Sequence, residues 1–541
     1  MLHIPQHPFS DDERSMLSSM PSSDALKWIA DRRCEIMKHL GELDLIHNLC
    51  IPINRLPDDV LRELFQCVQG LSSRHSWITV ALVCRRWRGV AMTSPTLWNR
   101  LDFGDDLQLV RHCIERSANA RLDIHIPNKF LDRVQDSAAV LLDVLLPHAH
   151  RIRRFNADLH TGQIFQTIFD NFSMPNLECL LLKRPWAQFY PAIVPMDIRW
   201  KLTSLTLTCV STDWNPPAFA NLQELSLTAL HDGIYHNPTM DTFLDVLEFC
   251  RNLRILHLRN AGPDIESLSA YPKPTRIVTL PLLELLTFDG VPINCSHLLD
   301  HVALPLSVRL DISIYWVGNA NFEGDYVPIV SGLLSRHRPW LFDTESVNRI
   351  DVDLTLLLGQ GVFNFRVLNP QGSIVFSVDL LYSDFRFEGP TAEKPGLLRH
   401  LLRDLAFMFS TCPVRALILK FPTDPVGEDD WRLILRSMPH LERLDVWLDK
   451  AATDALLMVL NAGCASGDEG NAPLPACVGI KDLHYHDDPF SSEDLLVSYL
   501  ARRAAVGHRL RRLDVRLSVY LSSISDLTER LRSLVDELCL R

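Results

Sequence analysis

The sequence predicts an α+β chain in which a small all-α module is followed by an irregular α/β solenoid. Three observations carry this. The block 51–100 spaces its apolar residues at helical intervals. From residue 150 onward a motif of the form apolar-x-x-apolar-x-apolar recurs, and helix-like segments separate its copies. The length, 541 residues, also exceeds what one hydrophobic core usually organises.

Composition narrows the function. A hydrophobic content of 47% is ordinary for a soluble globular protein, and 22 glycines are too few for a chain built on many glycine-rich phosphate loops. A net charge of −12 disfavours nucleic acid and anionic membranes as partners over a broad surface. The 13 cysteines stand singly, mostly in apolar segments and with no CxxC, as small hydrophobes do in a reducing compartment. No basic stretch followed by an apolar core opens the chain. Apolar runs such as "VLLDVLL" at 140–146 break well short of the ~20 residues of a membrane span. A cytoplasmic or nuclear protein, or one in both places, is expected.

Residues 1–22 are polar and Ser/Pro-rich, and a disordered tail is expected there. Residues 24–48 carry Leu26, Ile29, Ile36, Leu40, Leu43 and Ile46 at mostly helical spacing. An amphipathic helix lying on the next domain is expected. A short coiled-coil dimerisation segment is the alternative, weakened by a heptad register that breaks after few repeats.

Within 51–100, "LPDDVLRELFQCV" reads as a helix with Val60, Leu61, Leu64, Phe65 and Val68 on its apolar side. Pro57 sits where a helix can begin without losing a hydrogen bond, and Asp58 and Asp59 place negative charge in the first turn. "LSSRHS" breaks the pattern. Helical spacing returns from Trp77 to Ala91 through Val80, Val83, Cys84 and Trp87, and "TSP" then delivers Leu97 and Trp98. A unit this small cannot cover so many large apolar side chains with its own mass, so part of the first helix should meet a partner or the rest of the chain.

These blocks, LP-acid-x-VL-x-x-L-F, then VCRxWRxVA, then SPxLW, resemble the F-box, the helical docking module of substrate receptors in cullin-RING ubiquitin ligases. The resemblance implies docking on the Skp-type linker of such a ligase. It assigns partner contact to Leu56, Pro57, Leu61, Leu64 and Phe65, leaving Val60 and Val68 to close the module. Val83, Cys84, Trp87, Leu97 and Trp98 complete the candidate set, with an internal core role equally open for Val83, Cys84 and Trp87. "RRWR" at 85–88 reads as a solvated helix face, with contact to a partner's acidic groups as the alternative. Past residue 100, "SPTLWNRLDFGDDLQLVRHCIERSANARLDIHI" and "VLLDVLLPHAHRIRRFNADL" resemble one branch of this family, the F-box-like proteins abundant in fungi.

The repeating motif starts at Leu177, Leu202, Leu222, Leu253 and Leu283, intervals of 25, 20, 31 and 30 residues. It returns at Val414, Leu441, Ile480 and Leu510, intervals of 27, 39 and 30 residues, with weaker copies at Ile152 and Val347. This is leucine-rich-repeat spacing made irregular by insertions. The last two apolar positions should face inward from a short strand and the first should enter from the preceding turn, so each copy leaves a surface that only a neighbouring copy covers. Helix-like segments, "TGQIFQTIFDNF" at 161–172, "MDTFLDVLEFC" at 240–250 and "DDWRLILRSM" at 429–438, should line the other side.

Around 316–390 strand alternation replaces helical spacing, and "VFNFRVLNPQGSIVFSVDL" predicts an inserted hairpin turning at "NPQG". "CASGDEGNAPLPAC" at 464–477 has the composition of a surface loop, and "LTERLRSLVDELCL" reads as a capping helix. Chemistry is sparse. "HYHDDP" could hold a metal through His484, His486 and Asp488, but Tyr485 on the inward pattern turns both histidines out as solvated side chains. "GQG" at 359–361 lacks the context of a phosphate loop and reads as a turn. No cofactor and no catalytic or metal residue is assigned. The expected function is a substrate adaptor of an SCF-type ligase that catalyses nothing itself. The alternatives are a binding scaffold without ligase output and an enzyme with a site in 316–390.

Overall fold

A computed structural model describes residues 10–71, 76–134, 136–158, 168–184, 193–197, 199–228, 238–263, 276–290, 292–305, 307–317, 349–357, 360–383, 397–410, 412–421, 426–448, 450–463, 479–486, 493–516 and 524–540. The chain forms two compact units, Met1–Asp123 and Ile124–Arg541.

The first unit is helical. Its first helix, α1 (Asp11–Ser19), falls where a disordered tail is expected. A capping box explains it: the Ser10 hydroxyl accepts from the Glu13 N–H, Glu13 reaches back to the Ser10 N–H, and Asp11, Asp12 and Glu13 sit at the positive end of the helix dipole. Helix α2 (Ser22–Cys50) follows the apolar spacing read from the sequence but buries only Ala25. It carries its apolar residues to solvent instead of laying them on a neighbouring domain. A 3-10 turn (Pro52–Arg55) then leads into α3 (Asp58–Leu71).

The expected second helix is broken in two. Ser76–Leu82 is a 3-10 segment and α4 spans Arg85–Met92, with Cys84 extended between them at φ −156°. The Cys84 thiol accepts the Trp87 N–H at 3.4 Å, so this residue caps α4 instead of continuing a helix through it. A 3-10 turn (Pro95–Leu97), a short strand (Arg100–Asp102) and α5 (Leu107–Arg116) complete the unit.

In the second unit every copy of the repeating motif forms a strand. The first group is β1 (Ile152–Asp158), β2 (Cys179–Lys183), β3 (Ser204–Thr208), β4 (Glu224–Thr228), β5 (Ile255–Arg259), β6 (Leu285–Gly290) and β7 (Arg309–Val317), each parallel to the next. An antiparallel meander follows, β8 (Arg349–Leu357), β9 (Gln360–Leu368) and β10 (Ile374–Ser383), inserted in reverse spatial order. Strand β10 runs parallel beside β7, and β8 runs parallel beside β11 (Ala416–Phe421). The sheet continues in parallel through β12 (Arg443–Leu448), β13 (Asp482–His486), β14 (Leu510–Arg516) and β15 (Val535–Leu540). Among the described strands of this sheet only β9 reverses direction. That lets the insertion join the sheet without breaking its hydrogen-bond ladder.

Register explains the core. Leu180, Leu205, Leu225, Leu256, Leu286 and Leu310 lie side by side across β2 to β7, and Leu182, Leu207, Leu227, Leu258, Phe288 and Ile312 form a second row two residues on. All are buried, as are Leu177, Leu202, Leu222, Leu253 and Leu283, which enter each strand from the turn before it. Across β11 to β14 the rows are Leu417, Leu444, Leu483, Leu513 and Leu419, Val446, Tyr485, Val515. In the meander, the turn at Asn369–Ser373 places Gly372 at φ +80°, and Phe365, Val367 and Phe376 are buried.

Helices α6 (Ser137–Leu145), α7 (Met240–Phe249) and α8 (Pro292–His301) accompany the first strands. Behind the later strands α9 (Leu397–Phe409), α10 (Glu428–Ser437), α11 (Lys450–Gly463), α12 (Glu493–Ala505) and α13 (Ile524–Arg532) pack each on the next. Buried Trp431 of α10 donates its indole N–H to the Ala452 carbonyl of α11 at 3.1 Å, and buried Arg503 of α12 donates to the Ile480 carbonyl at 2.6 Å. The expected C-terminal helix ends at Arg532. "VDELCL" is instead strand β15, because pairing with the open edge of β14 satisfies its backbone where a further helical turn would leave that edge bare. Residues 161–167, 464–478 and Asp488 lie outside the described residues.

Candidate partner-docking surface

The three helical blocks of the first unit are tied together by polar contacts that hydrophobic spacing does not announce. The Arg86 guanidinium bonds the Asp58 carboxylate, with Nη2 to Oδ1 at 2.6 Å, and also donates to the carbonyls of Asn54 and Leu56. It thereby pins the entry of α3 to α4. The Trp87 indole N–H donates to Asn54 Oδ1 at 2.5 Å, and its ring lies 5.0 Å from that of Phe65. Arg62 donates to the Ser94 hydroxyl at 3.1 Å, Gln66 to the Thr96 hydroxyl at 2.7 Å, and buried Gln69 to the Leu97 carbonyl at 2.8 Å. These three fasten the "SPTLW" turn along α3. Trp98 closes the base, its indole N–H on the Ala91 carbonyl at 2.8 Å and its ring 5.1 Å from Trp77.

The ten candidate residues separate into two groups. Leu61 and Phe65 are 0% and 1% exposed, and Leu97 and Trp98 are equally buried, so their role is to build the module. Leu56, Cys84 and Trp87 are half-buried, and Pro57, Leu64 and Val83 are exposed. Val60 and Val68, expected to close the module, are exposed together with Leu71. Helix α3 therefore buries Leu61, Phe65 and Gln69 and presents a second stripe, Val60, Leu64, Val68 and Leu71, one residue out of step.

The reason is Gln69. A polar side chain occupies the third position of the buried stripe, made tolerable by its bond to Leu97, and it conceals the true register from a hydrophobicity pattern. The break at Cys84 has a parallel effect, leaving Leu82 and Val83 exposed at the end of a 3-10 segment. Sequence spacing missed Arg86 and Asn54. Of "RRWR", Arg85, Arg86 and Arg88 are exposed, as a solvated face requires, yet Arg86 also ties α3 to α4 and Arg88 donates to the Ala81 carbonyl at 3.0 Å.

The second unit offers a different surface on the side of the sheet opposite the leucine rows. On β3 and β4 this side carries Ser204, Thr206, Thr208, Ser226 and Thr228. On β12 to β14 it carries Arg443, Asp445, His484 and Arg512, with Asp514 of the same row buried. Arg443 lies 3.5 Å from Asp445, and His484 Nδ1 lies 3.7 Å from the same carboxylate. Burial, and then the charge of Arg443, holds the His484 imidazole below its ordinary range. His484 is therefore a packed member of a charged row, not the solvated side chain expected. Among the described residues no group of three or more His, Cys, Asp or Glu could hold a metal ion, and no helix is long and apolar enough to cross a membrane.

No curated protein matches the chain. Residues 53–104, which hold the Arg86 and Trp87 ties, both stripes of α3 and the "SPTLW" turn, match the family model described as F-box-like, and the protein therefore carries an F-box-like domain in its first compact unit.

Proposed function

We propose that the protein is a substrate adaptor of an SCF-type cullin-RING ubiquitin ligase. F-box domains typically bind Skp-type linkers, and the observation that carries the proposal is the exposed apolar surface on that domain: Val60, Leu64, Val68 and Leu71 on α3, with Leu82 and Val83 before α4. An apolar stripe kept in solvent costs free energy that a partner's apolar surface recovers. Leu56, Pro57, Cys84 and Trp87 border this surface in sequence and complete the docking set. Leu61, Phe65, Leu97 and Trp98 support it from within.

The second unit, an irregular leucine-rich-repeat-like solenoid in this reading, selects the protein to be modified. On β12 to β14 the outward row holds Arg443 and Arg512 part-exposed over their paired carboxylates, which favours a polar protein or peptide partner over a small apolar ligand. The chain then acts by proximity, holding a substrate lysine near an activated ubiquitin and raising its effective concentration. Copurification of the full chain with a Skp-type linker and its cullin, followed by a ubiquitination assay on captured proteins, tests this. Linker binding without ubiquitin transfer to any captured protein would leave a scaffold, and absence of linker binding would refute the proposal.

A further inference from the structure

Helix α2 presents a second apolar face that belongs to no part of the docking surface. Leu26, Ile29, Ile36, Met37, Leu40 and Leu43 are all exposed, with Leu26, Met37 and Leu43 at 69%, 68% and 61%. Helix α1 covers the flank beside this face, through the Glu13 to Arg32 contact at 3.4 Å and the buried pair Leu17 and Ala25, and leaves the six residues exposed. Leu26, Ile29, Ile36, Leu40 and Leu43 follow the alternating three- and four-residue steps of a coiled-coil seam, with Arg33 at the one seam position between Ile29 and Ile36.

The geometry points to a second copy of this chain as the occupant, paired antiparallel along α2 about a two-fold axis near Lys38. Charge decides the direction. Pairing about Lys38 sets Ile36 opposite Leu40 and Arg33 opposite Leu43, beside Asp44 of the other copy, so two cation–carboxylate pairs form per dimer. A parallel pair would instead set Arg33 against Arg33 and His47 against His47 inside the seam. Among the described residues neither Arg33 nor Asp44 has an ion-pair partner within its own chain. The six exposed side chains offer on the order of 600 Å² per copy, about 1,200 Å² for the pair, which reaches the lower bound of specific interfaces.

Sedimentation equilibrium of the full chain tests this. The wild type is expected at twice the 61.7 kDa chain mass at low micromolar concentration. Ile36→Asp with Leu40→Asp is expected to give a monomer of unchanged helical circular dichroism, because both side chains are already in solvent. Arg33→Asp alone and Asp44→Arg alone should each weaken the dimer about tenfold, since each acts twice per dimer, and the double exchange should restore it. A monomeric wild type overturns the inference, even where α2 captures some other protein. A dimer indifferent to Ile36→Asp with Leu40→Asp overturns it, as does a double exchange that fails to restore pairing.

Discussion

The two units treat the same commodity, apolar side chains at regular spacing, in opposite ways. In the sheet each leucine row is covered by the rows on either side and by the helices behind, so Leu225, Leu256 and Leu258 reach solvent no more than the interior of any core. In the F-box-like domain one stripe of α3 is buried and the adjacent stripe stays partly in solvent. Repetition supplies its own cover, whereas a short unrepeated module has surface left over. The proposed docking therefore draws on exposed apolar residues of the first unit, whereas the buried rows of the second serve its core.

Substitutions break the comparison in a definite order. The largest effect is expected from Leu61→Asp, which loses packing of about 2 to 5 kcal/mol and buries a carboxylate without a partner. Loss of the near-ultraviolet dichroism of the Trp77 and Trp98 cluster would report it. Next comes Leu258→Ala in the sheet, expected to cost about 2 to 5 kcal/mol in urea unfolding through the cavity it leaves in a fully buried row. Leu64→Ala on the part-exposed stripe is the counterpart. It should cost clearly less than Leu258→Ala, about 1 kcal/mol, since Leu64 is 38% exposed and only part of its side chain is packed.

Two smaller effects sharpen the same contrast. Burial pushes the Cys113 and Cys250 thiols up to about 12, so a thiol reagent near neutral pH should label exposed Cys34, Cys50 and Cys67 quickly and these two only on unfolding. The smallest belongs to His484. Its folded range lies below the unfolded one, so it is neutral in both states above about pH 6.5, and the unfolded chain takes up its proton first as pH falls. Stability should therefore decline below that pH, and His484→Gln should reduce the decline measured by urea unfolding between neutral and mildly acidic buffer.

Legibility in the sequence followed the same divide. Strand positions could be read because each motif states its inward residues twice, and neighbouring copies repeat the statement; Leu177 to Leu182 and Leu441 to Val446 each predict a strand without reference to the rest of the chain. The exposed stripe of α3 was not legible because its register depends on one polar residue, Gln69, whose burial is decided by a carbonyl 28 positions away. Capping was equally hidden at Cys84, a thiol standing in for the usual hydroxyl or carboxylate. Strand β15 was lost to its own helical spacing, since the edge it completes is a property of the folded sheet.

The most direct test of the docking claim is the affinity of the full chain for a purified Skp-type linker, measured by titration calorimetry for wild type and for Leu64→Glu with Val83→Glu. The double variant should fold as the wild type does and bind at least about tenfold more weakly, because charge then replaces apolar contact at the centre of the exposed surface. Undiminished binding by a folded double variant would contradict the account and move the docking surface elsewhere on the domain.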